Sequence, residues 1–272
     1  MRRTLFALLL AVSTAAAAPE EVPFVVTPDN VTRAMLELAQ VGRNDFVIDL
    51  GSGDGRIVIT AAKRYGARGL GVDLVPELVK QSQESAKSAA VDKQVEFRVE
   101  DLFDTDLGKA SVITLYLLPD VNLKLRPKLL ELKPGTRIVS HDWDMGDWAP
   151  DKTIALDVPD KSVGIEKRSR VHLWIVPARI AGEWCGTGLA RGTRLTIRQS
   201  FQNVQGELFN GGAQPEAFVG VLDGNVLKRA RLSDGSFELS ADRRRLVMQR
   251  SGNPLARPPA IAFVPPVREG CR

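Results

Sequence analysis

From residue 45 to residue 140 the chain alternates between short apolar runs and stretches whose apolar residues recur at helical spacing. The runs predict strands over 46–50, 69–72, 95–99, 112–116 and 137–140. The helical stretches fall between most of them, over 56–65, 76–89 and 122–132. Pro76 suits a first helical turn, and Pro134-Gly135 ends the last helix. A further helix over 30–38 gathers Val31, Met35, Leu38 and the adjoining Ala39 on one face, with Thr27 or Asp29 as its cap. The first strands are almost unbroken apolar runs, as expected where helices cover both faces of a parallel sheet. This is the pattern of an α/β protein with a doubly wound sheet.

Past Trp148 the pattern changes. The runs 154–158 and 171–176 read as two more strands with no helix between them, a hairpin that closes the sheet. From Ala181 onward helical periodicity is absent. Residues 193–201 alternate, with Leu195, Ile197, Gln199 and Phe201 on one face and Thr196, Arg198 and Ser200 on the other. Turn signals recur at Asn210-Gly211-Gly212, Asp223-Gly224-Asn225 and Asp234-Gly235. Short strands at this spacing predict a small antiparallel all-β barrel or sandwich. The expected plan is a leader over 1–18, an α/β domain over 19–178 and a β domain over 182–268.

Charge and cysteines narrow the setting. The formal charge is +4, and Arg2 and Arg3 belong to the leader, so the remainder is too near neutral to predict a nucleic-acid partner. The densest basic run, Arg243-Arg244-Arg245, reads as a solvated hairpin tip. The leader MRRTLFALLLAVSTAAAAPEE has a basic start, an apolar stretch too short to span a bilayer, and alanines placed for signal-peptidase cleavage after Ala17. Export to the periplasm or cell envelope is the expectation, with an uncleaved membrane anchor or mitochondrial import as the alternatives. Cys185 and Cys271 are the two cysteines, and His141 and His172 the two histidines, which excludes a structural zinc cluster; no metal is expected. The cysteines are either a Cys185–Cys271 disulfide in an oxidising compartment or two separate thiols.

The candidate chemistry begins at VIDLGSGDGRIVI, residues 47–59. Asp49 is followed by Gly51, Gly53 and Gly55, glycines at every second position between a strand and a helix. Such glycines let the chain turn tightly and let a ligand approach bare backbone. A nicotinamide fingerprint wants glycine where Arg56 stands, and the lysine of a phosphate-binding P-loop is absent. Asp73 closes the second strand about twenty residues on, where a carboxylate accepts ribose hydroxyls. Glu100-Asp101-Leu102-Phe103 follows the third strand and offers a carboxylate for an adenine amino group beside an apolar side chain for the ring.

The loop resembles motif I of the class I S-adenosylmethionine (SAM)-dependent methyltransferases. The flanks VPFVVTP, GLGVDL and DLFDTDLGKASVITLYLLPDVNLKLRPKLLELKPGTRIVSHDWDMGDW are similar to the seven-β-strand protein-lysine methyltransferases that include mitochondrial inner-membrane enzymes, and more distantly to the Dot1-type histone lysine methyltransferases. The likeness covers roughly residues 22–150 and leaves the β region without a counterpart. It implies a class I, Rossmann-like fold and SAM-dependent N-methylation of a lysine in a protein, with membrane or envelope proteins as natural partners and peripheral membrane association as a further possibility. The alternatives are a small-molecule or lipid acceptor, or an exported SAM-binding scaffold without turnover. On this resemblance Asp49, Gly51, Gly53 and Gly55 hold the methionine end, Asp73 the ribose, Asp101 and Leu102 the adenine, and Thr27 belongs to a lid.

The fourth strand ends in Leu115-Tyr116-Leu117-Leu118-Pro119, without the Asn/Asp-Pro-Pro-Tyr of many amino methyltransferases. Its apolar lip suits a lysine stem, and Tyr116 is the candidate catalytic residue, either against the substrate or over the cofactor. His141 either accepts a proton or caps its strand, Trp143 and Trp148 form a substrate wall or pack their loop, and Arg56 meets the cofactor carboxylate or a local acid. The β domain is expected to present the substrate or dock at a surface. Oligomeric state is not legible.

Overall fold

The computed structural model describes residues 25–162, 166–212, 214–242, 244–250, 259–266 and 271. The leader, its cleavage point and Arg243 lie outside the described residues. The elements run α1 (Asp29–Leu38), β1 (Phe46–Leu50), α2 (Arg56–Tyr65), β2 (Arg68–Asp73), α3 (Pro76–Ser88), β3 (Val95–Val99), β4 (Val112–Leu115), α4 (Pro119–Leu129), β5 (Arg137–His141), β6 (Lys152–Asp157) and β7 (Arg168–Ile175). The strands form one sheet in the order β3-β2-β1-β4-β5-β7-β6. β1 to β5 are parallel, and β7 is antiparallel to both of its neighbours. The expected hairpin exists, but β7 slots between β5 and β6, so β6 becomes the edge.

The helix ends differ from the sequence expectation most at α4, which starts and stops three residues early, and by one residue at α1 and α3. α4 begins at Pro119 rather than Asn122, because a proline at the first turn supplies helical φ and has no N–H to leave unpaired. α1 is entered through Pro28, and neither Thr27 nor Asp29 caps it; Thr32 N–H bonds the Pro28 carbonyl instead. Thr27 is buried and its carbonyl is held by Arg56.

The sheet has a core on each face. Val31, Met35, Val47, Val112 and Val139 pack on one side, and Leu50, Leu115, Leu125, Trp148 and Trp174 on the other. Residues beyond β7 form β8 (Gly182–Thr187), β9 (Thr193–Ser200), β10 (Asn203–Asn210), β11 (Glu216–Asp223), β12 (Val226–Leu232), β13 (Gly235–Asp242), β14 (Arg245–Arg250) and β15 (Ile261–Val264). Each pairs antiparallel with the next, and β15 returns to β8 to close a barrel, an architecture that does away with free sheet edges. Its interior is filled by Trp184, Leu195, Ile197, Phe218, Phe237 and Phe263. Cys185 in β8, the strand that closes the barrel against β15, is bonded to Cys271.

The alternation over 193–201 fails at its last residue. Leu195 and Ile197 face the barrel core, but Phe201 lies past the end of β9 at φ +52° and leaves the barrel. It stacks on Trp148 at 5.9 Å between ring centroids, beneath the Arg126 guanidinium. Gln202 follows it in, accepting from Trp148 Nε1 at 3.0 Å and donating to the Ala149 carbonyl at 2.8 Å. The β9–β10 turn is thus a plug in the core of the sheet, which explains why Trp148 is fully buried.

Candidate active site

The sheet order reverses direction between β1 and β4, and at such a point the loops beyond the carboxyl ends part to leave a crevice. A cavity of about 660 Å³ lies there. Its wall includes Val25, Val26, Thr27, Asp49, Gly51, Asp73, Asp101, Leu102 and Tyr116. Of the nine residues singled out from the sequence for cofactor or catalysis, seven line this one cavity, and Gly53 and Gly55 stand behind the wall.

The glycine loop is pinned from both sides. Gly51 and Ser52 N–H both donate to the Val72 carbonyl at 2.9 Å, Gly53 N–H donates to Asp73 Oδ2 at 2.9 Å, and Ser82 Oγ donates to the Gly53 carbonyl at 2.8 Å. Gly55 has φ +76°, and a Cβ there would lie 2.7 Å from the Phe97 ring and 2.8 Å from Ser82. No side chain fits between this turn and the α3–β3 layer, so glycine is required by both conformation and space.

Asp49 is buried inside β1, and Thr114 Oγ1 donates to it at 2.6 Å. Burial pushes its carboxyl up to about 7; the Thr114 bond opposes this, and the negative charges of Asp54 and Asp73 add to it. A carboxylate so placed favours a positively charged visitor. Asp73 accepts from Gly53 N–H and Val75 N–H, one bond to each oxygen, and a carboxylate oxygen has a second lone pair for another donor. Asp101 accepts from Phe103 N–H at 2.8 Å. Arg56 takes the local role, binding Asp54 at 2.6 Å, Asp29 at 3.4 Å and the Thr27 carbonyl at 3.0 Å, and so latches the entering segment onto the loop.

Sequence reasoning found the apolar rim at Leu118 and beside Asp101 but missed Val26, Leu74 and Val75. Val26, Leu74, Val75, Phe103 and Leu118 are exposed large apolar residues, and all five line the cavity. Leu74 and Val75 directly follow Asp73, as Leu102 and Phe103 follow Asp101, so each carboxylate is paired with apolar side chains suited to cover a flat ring. Strand-end position was the signal available for Leu74 and Val75.

A second cavity of about 630 Å³ adjoins the first, sharing Val25, Val26 and Tyr116 with it and adding Pro28, His141, Asp160, Lys161 and Ser162. Tyr116 stacks on His141 with ring centroids 3.9 Å apart. Burial and the nearby Asp142 charge raise the Tyr116 phenol, so it stays protonated. His141 ends β5, as the capping alternative has it, and burial pulls its imidazole down to about 4 against the pull of Asp142. Its Nε2 lies 2.9 Å from Ser169 Oγ. Trp143 and Trp148 line neither cavity, and no described barrel residue does; Trp148 packs on Trp174 and Phe201 instead.

Strand order, glycine loop and paired carboxylates together define a class I SAM-dependent methyltransferase. The family model for the ANTKMT methyltransferase domain matches residues 49–152. The protein-lysine N-methyltransferase of Saccharolobus islandicus is 41% identical over 138 residues, covering 50% of this chain and 86% of that protein. The adenine nucleotide translocase lysine N-methyltransferase of Mus musculus is 35% identical over 132 residues, covering 48% of this chain and 57% of the mouse protein, so that likeness spans little more than half of the relative. A crystal structure of an RNA methyltransferase from Salinibacter ruber, in complex with S-adenosyl-L-homocysteine, is 52% identical with a TM-score of 0.53, covering 57% of this chain and 96% of that one. The chain belongs to the protein-lysine N-methyltransferase family. Its cofactor is SAM.

Proposed function

We propose that the chain transfers a methyl group from SAM to the side-chain amine of a lysine in a protein. The observation that carries this reading is the charge of the cavity wall. Among the described residues, Asp49, Asp54, Asp73, Glu100 and Asp101 line it against one cation, Arg56, which is itself bonded to Asp54. Such a wall holds a cofactor bearing a sulfonium and an ammonium, steers a cationic lysine towards the neighbouring mouth, and repels a polyphosphate backbone. That supports the lysine acceptors named for the archaeal and mouse relatives over the RNA named for the Salinibacter protein.

Asp49 and the backbone of the glycine loop would hold the methionine end, Asp73 the ribose hydroxyls and Asp101 the adenine edge, with Leu74, Val75, Leu102 and Phe103 against the ring. Thr27, on the segment latched by Arg56, forms the near wall. Bound SAM supplies a methyl carbon already activated by a sulfonium. The chain has to align a neutral amine about 3 Å from that carbon. The amine lone pair then forms the C–N bond as the C–S bond breaks, the positive charge passes to nitrogen, and a proton leaves to water. Tyr116 stands where the two cavities meet and orients the amine at that junction.

A lipid or small-molecule acceptor is the second reading, favoured by the exposed apolar rim at Val26 and Leu118. Incubation with methyl-labelled SAM and an envelope extract separates the two. Base-stable label running with protein supports lysine; label in the organic phase supports lipid. Export is part of the proposal, supported by the leader pattern and by the Cys185–Cys271 bond, since disulfides persist in oxidising compartments. Envelope or membrane proteins would then be the natural substrates.

A further inference from the structure

The second cavity holds an arrangement that the cofactor reading does not use. His141 Nδ1 is buried and has no hydrogen-bond partner among the described residues. A buried polar atom left unpaired costs about 1–3 kcal/mol, so its retention beside a cavity calls for a partner from outside the chain, a water or a ligand. The ring's tautomer follows from its other nitrogen. Nε2 faces Ser169 Oγ at 2.9 Å and the Asp142 carboxylate at 3.5 Å, which favours the proton on Nε2 and leaves a lone pair on Nδ1.

The surroundings hold that ring in place. Tyr116 covers one face. Asp142, at φ +62°, turns the chain out of the sheet, and one of its oxygens accepts from Arg170 N–H at 2.9 Å. The other binds Lys161 Nζ at 2.7 Å, so the cation of this wall is already paired. Asp160, the wall's other charged residue, is exposed to solvent. The remaining walls include Val25, Val26 and Pro28. A passage whose buried charges are neutralised, and whose sides are partly apolar, disfavours an ammonium by desolvation and admits the neutral amine that methyl transfer requires.

We propose that the second cavity is the channel for the acceptor lysine side chain, in which His141 Nδ1 accepts a hydrogen bond from the incoming neutral amine. This rests on the methyl-transfer reading above. One amine N–H goes to Nδ1, and the lone pair is thereby turned past Tyr116 towards the first cavity. His141 remains neutral and takes no proton; it is a positioning group that acts on the acceptor directly.

The test uses the full chain saturated with S-adenosyl-L-homocysteine and titrated calorimetrically with n-pentylamine, which reproduces a lysine side chain from Cα outward. An asparagine amide reaches about as far as Nδ1, whereas a glutamine amide reaches Nε2. His141→Asn should therefore keep pentylamine affinity within about threefold, while His141→Gln should lose tenfold or more. Both variants should bind S-adenosyl-L-homocysteine as wild type does, because His141 lines the second cavity alone. The reverse order, with Gln retaining and Asn losing affinity, would assign His141 to its Ser169 contact and overturn the proposal. Failure of the wild type to bind pentylamine while holding the nucleoside would overturn the channel but leave the cofactor site standing. Failure to bind the nucleoside at all would instead bring down the methyl-transfer reading.

Discussion

At Asp49 the folded protein keeps a proton that the unfolded chain gives up near its ordinary value of 3.8, since burial holds the carboxyl up to about 7. Folding then binds a proton across that window, so Asp49 stabilises the empty protein below about pH 4 and loses that contribution as pH rises to about 7. The loss is on the order of 4 kcal/mol at full ionisation. Urea melts of wild type and Asp49→Asn at pH 5 and pH 8 should show it: the variant gains relative stability at pH 8 and less at pH 5. The same variant should bind SAM roughly tenfold or more weakly, because the cofactor's cations lose their buried partner. Together the two results would mark Asp49 as a functional position, one that gives up stability for binding. Asp49, Gly51, Gly53, Gly55, Asp73 and Asp101 were legible because strand ends and glycine spacing are local features of sequence. The Tyr116–His141 stack and the Asp142–Lys161 pair were not, since they join separate loops through contacts that no periodicity records.

Among the elements, the segment entering α1 depends on one side chain. Arg56 ties Thr27 and Asp29 to the glycine loop through Asp54, in a partly exposed ion pair. Arg56→Ala should cost only about 1 kcal/mol in a denaturant melt. SAM affinity should fall several-fold, as the wall carrying Thr27 loosens; calorimetric titration measures it. The β9–β10 turn is the opposite case, a small element with a large structural load. Phe201→Ala should destabilise the chain by about 2 kcal/mol and split a single unfolding transition into two, followed by calorimetry. Sequence alternation placed Phe201 on the barrel face because it runs on from Leu195, Ile197 and Gln199. Its positive φ and the pull of Trp148 decide otherwise, and both are set by the other half of the chain. The place of β7 between β5 and β6 was hidden for the same reason: strand pairing order is a long-range property.

For the whole molecule, the barrel is joined to the sheet by a packed plug, and none of its described residues enters either cavity wall, so it is a docked body rather than a lid. Cys185, in the strand that closes the barrel, is bonded to Cys271, 86 residues away. Chain-entropy reasoning gives such a link about 4.6 kcal/mol, and reduction should lower the melting midpoint accordingly, with Cys271→Ser matching the reduced protein. If the leader acts as proposed, protein purified from the cell envelope should begin at Ala18, and an intact Met1 in a cytosolic fraction would contradict export. The acidic wall and the glycine loop are what support the proposed methyl transfer onto an amine. Incubation of the purified chain with methyl-labelled SAM and envelope proteins, followed by peptide mass spectrometry, tests that most directly. Methylated lysine is the expected product, with Asp49→Asn giving roughly tenfold less or lower at limiting SAM. Label confined to RNA or lipid, with lysine unmodified, would contradict it.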